Sequence, residues 1–205
     1  DYDLPAPPVL LDITVDGRDI PAVAQVSKQG FTFVFDRRTG EPVWPIEERP
    51  VAQSTVPGEQ TAATQPFPTL PEPFEQQGVT VDNLNNLTPE IHAEARRIAE
   101  AYTLGPLYTP PTVVSDSNRG TLATGAAIGG ANWQGAVADP DSALLYVSST
   151  ASPVVLGMTS DPYRSNMRYV IRRERVPGPF GLPLLQPPWG HITAIDLNTG
   201  KIRWS

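Results

Sequence analysis

The chain has 205 residues, among them 24 prolines, 16 glycines and no cysteine, with a formal net charge of −7 and 40% hydrophobic residues. That is enough apolar chain to bury a core, and its acidity and lack of any basic run exclude a nucleic-acid backbone binder. Without cysteine there is no disulfide or thiolate metal site, and no stretch approaches the roughly 18 consecutive apolar residues of a membrane-spanning helix.

Residues 8–44 predict consecutive strands. Pro8 to Val15 is apolar and β-branched, Asp16-Gly17 is a hairpin dipeptide, and Ile20 to Val26 and Phe31 to Phe35 continue the pattern. Phe31, Phe33 and Phe35 fall on one strand face, which is expected to be core. From Pro45 to Gln77, Pro, Gln, Thr and Glu dominate, and the run from Gln65 to Phe74 is expected to form neither ladder nor helix. Phe67, Leu70 and Phe74 are spaced to anchor an ordered extended excursion, favoured over a disordered linker.

A helix is predicted after Thr88 as N-cap, with Pro89 at its first position, Ile91, Ala95, Ile98 and Tyr102 on one face, and Gly105-Pro106 as its stop. His92 on this helix reads as a solvated residue rather than a metal ligand. After Gly129-Gly130-Ala131-Asn132-Trp133, strand signals resume through Ala136 to Ser148 around the turn Asp139-Pro140-Asp141-Ser142, and again over Pro153 to Met158. Residues 159–188 read as loop, with Arg164, Arg168, Arg172, Arg173 and Arg175 solvating it rather than gathering an anion.

An internal repeat sets the architecture. Phe35-Asp36-Arg37-Arg38-Thr39-Gly40-Glu41-Pro42-Val43-Trp44 recurs as Ile195-Asp196-Leu197-Asn198-Thr199-Gly200-Lys201-Ile202-Arg203-Trp204, with Asp, Thr, Gly and Trp in register. The Asp can accept from backbone N–H groups of its turn, the Gly takes a positive φ, and the Trp can dock a strand end on a neighbouring sheet. The copies lie 160 residues apart, against the ~40–50 of a propeller blade. An all-β fold of consecutive β-propeller blades with long Pro-rich insertions and one short helix accounts for this spacing. The expected division is a blade over 1–44, a loop and helix insertion over 45–130, a blade over 131–158, a loop over 159–188 and the start of a further blade over 189–205. Opening on Asp1 and closing inside a strand pattern, the chain reads as an internal piece of a longer protein.

The stretches Asp1-Tyr2-Asp3-Leu4-Pro5-Ala6-Pro7-Pro8, Lys28-Gln29-Gly30, the Asp36 to Trp44 repeat, Pro66-Phe67-Pro68, Thr109-Pro110-Pro111, Gly130-Ala131-Asn132-Trp133 and Trp189-Gly190 occur in the order seen in the quinoprotein dehydrogenases. The chain resembles in particular the membrane-associated glucose dehydrogenase branch, which uses pyrroloquinoline quinone (PQQ). The resemblance implies an eight-bladed propeller in the intact protein, with Asp1 as the catalytic base, Lys28 binding the quinone oxygens, and Asn132 and Trp133 contacting the cofactor. It implies Ca2+ with ligands upstream of Asp1, a sugar or polyol substrate, a quinone or cytochrome electron acceptor, and a periplasmic site of action, with inner-membrane anchoring through other segments. The 205 residues alone are then expected to be inactive.

The chemistry asks for such groups: a carboxylate can take the hydroxyl proton, and a fixed cation can stabilise charge developing on a quinone oxygen. Plainer readings stand beside them. Asp1 can be a solvated terminus, Lys28 an exposed strand-end residue, Asn132 a turn former, and Trp133 and Trp189 packing residues; His191 is given no role. A non-catalytic propeller scaffold of the outer-membrane assembly type is the alternative from another class, and it would need the docking turns but not Asp1, Lys28 and the Gly-Gly-Ala-Asn-Trp stretch.

Overall fold

The computed structural model describes residues 2–126 and 129–205; Asp1, expected to be catalytic, lies outside them. In chain order the strands are β1 (Val9–Val15), β2 (Arg18–Val26), β3 (Thr32–Asp36), β4 (Ile46–Pro50), β5 (Thr64–Pro68) and β6 (Gly78–Val79). The helix α1 (Pro89–Ala99) follows, then β7 (Gly105–Pro106), β8 (Thr112–Val113), β9 (Thr121–Ala123), β10 (Ala136–Asp139), β11 (Leu144–Thr150), β12 (Val154–Thr159), β13 (Val170–Arg175), β14 (Gly190–Asp196) and β15 (Lys201–Trp204).

The first sheet is antiparallel, in the order β1-β2-β3. Its opening hairpin turns at Asp16 (φ 51°) and Gly17 (φ 73°), the two positive φ angles that match a two-residue turn to the twist of its strands. A fourth edge follows, where Phe35 bridges Pro42 and Val43 N–H donates to Val34 O at 2.9 Å. A second antiparallel sheet has the order β10-β11-β14-β15. β11 and β14 pair from Leu144 opposite Asp196 to Thr150 opposite Gly190, so the segments 131–158 and 189–205 do not divide into separate sheets as expected. The register follows burial: Leu145 faces Ile195 and Val147 faces Thr193, all four fully buried, and a slip of one residue would turn each of them outward.

β12, expected to extend that blade, belongs elsewhere. It pairs with β13, β8 and β9 in a sheet of its own. Residues 170–175, expected as loop, are therefore a strand, and Arg172, Arg173 and Arg175 stand exposed along it.

One core joins the two blade-like sheets. Leu11, Ile13 and Val15 of β1, Ala22, Ala24 and Val26 of β2, and Val34 of β3 pack with Leu145, Val147, Ile195 and Leu197. Each large aliphatic side chain sealed there contributes roughly 1.5–3 kcal/mol. Val34 sends β3's main-core contact from the face opposite the phenylalanines. Phe31 and Phe33 instead join Phe67, Leu107 and Tyr108 in a separate aromatic cluster, with Phe31 and Phe67 edge to face at 5.6 Å, while Phe35 is half-buried. The strand is covered on both sides, so the aromatic face is not the one that meets the neighbouring sheet.

The Pro-rich excursion is ordered. Contrary to expectation, part of it forms a ladder: β4 and β5 pair antiparallel, Ile46 opposite Pro68 and Pro50 opposite Thr64. Val51 N–H donates to Ala63 O at 3.1 Å and Thr69 N–H to Pro45 O at 2.9 Å, so the odd-numbered residues of β5 turn their N–H toward β4. Pro66 and Pro68 fall on the alternate positions, where a ladder donor is not required. Beyond β5 the chain crosses to the second repeat. Leu70 packs against Gly200, Glu72 N–H donates to Gly200 O at 3.0 Å, the Glu72 carboxylate pairs with Lys201 at 2.8 Å, and Phe74 enters the main core.

The helix α1 starts as predicted, with the Thr88 hydroxyl accepting from Ile91 N–H at 3.3 Å and Pro89 in its first turn. It ends at Ala99, before Gly105-Pro106, because the chain leaves to bond Thr103 N–H to Gly120 O. Ala95, Ala99 and Tyr102 pack with Val79, Leu84, Leu122, Val155, Leu184 and Leu185 in a second core. His92 is half-buried rather than solvated, its Nδ1 3.3 Å from Asn85 O.

Candidate functional site

The two repeated turns are built alike. Asp36 Oδ1 accepts from Arg38 N–H at 2.9 Å and Asp196 Oδ1 from Asn198 N–H at 2.9 Å. Gly40 N–H donates to Asp36 O at 2.8 Å and Gly200 N–H to Asp196 O at 2.7 Å, with φ of 78° and 70°. The second turn also reaches the first sheet, where Asn198 Oδ1 accepts from Thr14 N–H at 2.7 Å. The second turn thus ties its sheet to the first, whereas the backbone bonds of the first turn run within its own sheet.

Lys28 lies in the turn between β2 and β3. Ser27 N–H bonds Phe31 O at 3.0 Å, Gly30 N–H bonds Ser27 O at 3.1 Å, and Gly30 takes φ 82°. The turn buries Lys28, which is only 5% exposed. Its Nζ lies 2.6 Å from Asp3 Oδ1, and the Lys28 hydrogen bond holds the Asp3 carboxyl below the usual carboxylate range. A buried ammonium is strongly disfavoured unless charges and dipoles compensate it, so this placement is a property of the site and not of a strand end.

Glycines wrap the lysine. Gly130 N–H donates to Lys28 O at 2.8 Å. A Cβ on Gly129 would stand 2.5 Å from Lys28 Cγ, and one on Gly125 would stand 2.7 Å from Lys28 O. Only residues without side chains fit that closely. The same strip carries Asn132 and Trp133, which line a surface cleft of about 350 Å³ with Gly129, Gly130, Gln134 and Thr150. Asn132 is half-buried, and its Oδ1 accepts from Trp133 N–H at 3.0 Å. Trp133 is 84% exposed instead of packed, whereas Trp189 donates its indole N–H to Leu185 O at 2.8 Å. Lys28, Asn132 and Trp133 are thus linked through Gly129-Gly130, and Asp3 places the start of the described chain beside Lys28.

Tyr2 seals one flank, stacked edge to face with Tyr108 at 5.1 Å, and burial pushes its hydroxyl up to about 12. On the other flank is a pair that the sequence did not single out as functional. Glu75 is buried, with its Cβ 3.0 Å from where a Gly30 Cβ would stand, and its Oε2 lies 3.8 Å from His191 Nε2. Nothing in the local sequence distinguishes Glu75 from the other acidic residues of the excursion; its burial comes from contacts made far along the chain. Among the described residues, no group of three or more His, Asp or Glu side chains could hold a metal ion.

A family model described as the glucose/ethanol/alcohol dehydrogenase β-propeller domain, keyed to PQQ, matches residues 1–205. The chain belongs to this PQQ dehydrogenase family. It is 30% identical over 226 residues to the quinoprotein glucose dehydrogenase of Escherichia coli, 29% identical over 228 residues to the quinate/shikimate dehydrogenase (quinone) of Acinetobacter baylyi, and 28% identical over 235 residues to the glycerol dehydrogenase large subunit of Gluconobacter oxydans. Each match covers all of this chain but only 28%, 27% and 31% of the relative, so the chain spans under a third of their length. Among solved structures, a europium-containing methanol dehydrogenase aligns with a TM-score of 0.51 at 21% identity, over 100% of this chain and 28% of that one. The quinohemoprotein alcohol dehydrogenase of Comamonas testosteroni aligns with a TM-score of 0.51 at 17% identity, over 100% of this chain and 24% of that one. Both support the propeller fold.

Proposed function

We propose that the protein to which these residues belong is a PQQ-dependent dehydrogenase that oxidises a sugar or polyol, and that this chain supplies its catalytic base and the cation that meets the cofactor. The observation that carries the reading is the buried Lys28 ammonium, wrapped by glycines whose missing side chains leave room for nothing larger. A scaffold held together by the Asp36 and Asp196 turns has no use for such a lysine.

The residues fit the cofactor: Lys28 offers a fixed positive charge, and Asn132 and Trp133 line a cleft that shares the glycine strip. Bound PQQ supplies an ortho-quinone able to take hydride from an alcohol carbon. Lys28 Nζ, held 2.6 Å from Asp3 Oδ1, is a fixed cation that would stabilise charge on a quinone oxygen without rearrangement. Asp1 takes the substrate hydroxyl proton on its carboxylate, two residues from the Asp3 that pairs with Lys28. Ca2+ is assigned to ligands in segments beyond this chain, and the 205 residues alone are inactive. Electrons leave to a quinone or cytochrome on the periplasmic side of the membrane, with the eight blades closed by the rest of the protein. Within this chain no described helix is long and apolar enough to span a membrane.

The test is reconstitution of the full-length protein with PQQ and Ca2+ and measurement of dye reduction with glucose, quinate and ethanol. PQQ-dependent reduction with one of them is expected. No PQQ binding and no turnover would leave the repeat explained by fold alone and favour the scaffold.

A further inference from the structure

We infer that His191 is a positioning residue for Lys28, acting through the carbonyl of Phe74; the inference concerns where Lys28 is held and deepens the reading that Lys28 meets the cofactor. His191 stands near the start of β14, opposite Ser149 in the ladder. Its Nε2 lies 3.1 Å from Phe74 O and 3.3 Å from Ser149 Oγ, with Glu75 Oε2 at 3.8 Å. A carbonyl oxygen only accepts, so the network assigns the proton to Nε2. The bond continues on the other side of the same residue: Phe74 N–H donates to Gly30 O at 2.9 Å, and Gly30 N–H closes the Lys28 turn on Ser27 O.

A second line runs from the same strand end. Thr150 N–H donates to Gly130 O at 3.1 Å, and Gly130 N–H donates to Lys28 O at 2.8 Å. Ser149 and Thr150 therefore reach the Lys28 turn along two routes, one through the His191 side chain and one through backbone alone. Glu75 is wedged between them, its Cβ against both Gly30 and Gly130. Among the described residues, Glu75 Oε2 and His191 Nδ1 are buried without a hydrogen-bond partner. Two such atoms in one pair are costly for stability, and the contacts of Nε2 with Phe74 O and Ser149 Oγ are what hold the ring in place. The sequence offered no role for His191 because its partners lie 42 and 117 residues away.

The chain contains two lysines, and the exposed Lys201 is an internal control for Lys28. Acetylation of the full-length protein with an amine-reactive acetate ester, read by mass spectrometry, reports how often Lys28 is uncovered, with no cofactor present. His191→Phe keeps the ring volume and removes the donor. It is expected to raise the Lys28 rate relative to Lys201 by roughly three- to tenfold, the equivalent of one net hydrogen bond. His191→Gln, whose amide N–H can replace Nε2, is expected to bring the rate back to near wild type. An unchanged Lys28 rate in folded His191→Phe, or no recovery in His191→Gln, overturns the inference. Should His191→Phe fail to fold, His191→Met, which also lacks the ring donor, takes its place, and an unchanged Lys28 rate in that variant overturns the inference equally. A parallel PQQ titration separates the two readings. Faster acetylation in His191→Phe, with PQQ affinity unaffected even in Lys28→Ala, would uphold the positioning and refute the cofactor assignment.

Discussion

Gly40 and Gly200 occupy the same place in the repeat, yet they answer to different neighbours. Both take φ near 70–80°, but the space where a Gly40 Cβ would stand is open, whereas at Gly200 it would lie 2.9 Å from Leu70 Cβ. Gly40→Ala should cost about 1 kcal/mol from the backbone alone. Gly200→Ala should cost about 1–3 kcal/mol more, because Leu70 must move; urea unfolding of the full-length variants measures the difference, and equal losses would contradict the packing at Leu70. Tyr2 gives a second prediction at this scale. Its pKa is raised to about 12 by burial, so the folded state disfavours its ionisation. Stability from this group is complete below the unfolded value near 10 and is lost as pH rises through about 12. Absorbance at 295 nm should show a late ionisation step near pH 12, and a Tyr2→Phe variant should lose that step.

β5 shows why local composition misjudged the excursion. Two prolines within five residues argue against a strand, but the prohibition concerns donors, and here both fall where the donor would point away from β4. Pro66→Ala is therefore expected to change stability by less than about 0.5 kcal/mol. Gln65→Pro removes an N–H that faces β4 and is expected to cost about 1–3 kcal/mol, seen as faster amide exchange across β4. Equal effects at the two positions would contradict the register. Phe67, Leu70 and Phe74 were legible as anchors because their apolar size is a local property. Which sheet each one anchors was not, since Leu70 and Phe74 meet partners in the second repeat and in the core between sheets. The helix start was legible from Thr88 and Pro89 for the same reason, while its end depends on Gly120, which is distant in sequence.

At the scale of the whole molecule, the Asp-x-x-Thr-Gly repeat carried the propeller architecture, because a turn's bonds lie within six residues. The assignment of strands to sheets did not follow, because β11 and β14 are separated by an insertion that contributes its own strands to another sheet. The site divides in the same way. Lys28, Asn132 and Trp133 were picked out as candidates from short motifs, and the structure links them through Gly129-Gly130; the contacts of Glu75 and His191 are made in the fold, and no motif encodes them. In the proposed reading, this chain brings a base and a cofactor cation to one place, with separable roles. That reading is tested most directly in the full-length protein by measuring PQQ affinity and turnover together in Asp1→Asn and Lys28→Ala. Asp1→Asn should bind PQQ within about threefold of wild type while losing at least about a hundredfold in turnover. Lys28→Ala should lose both, with affinity down by about tenfold or more. Full turnover in Asp1→Asn, or wild-type PQQ affinity in Lys28→Ala, would contradict the account.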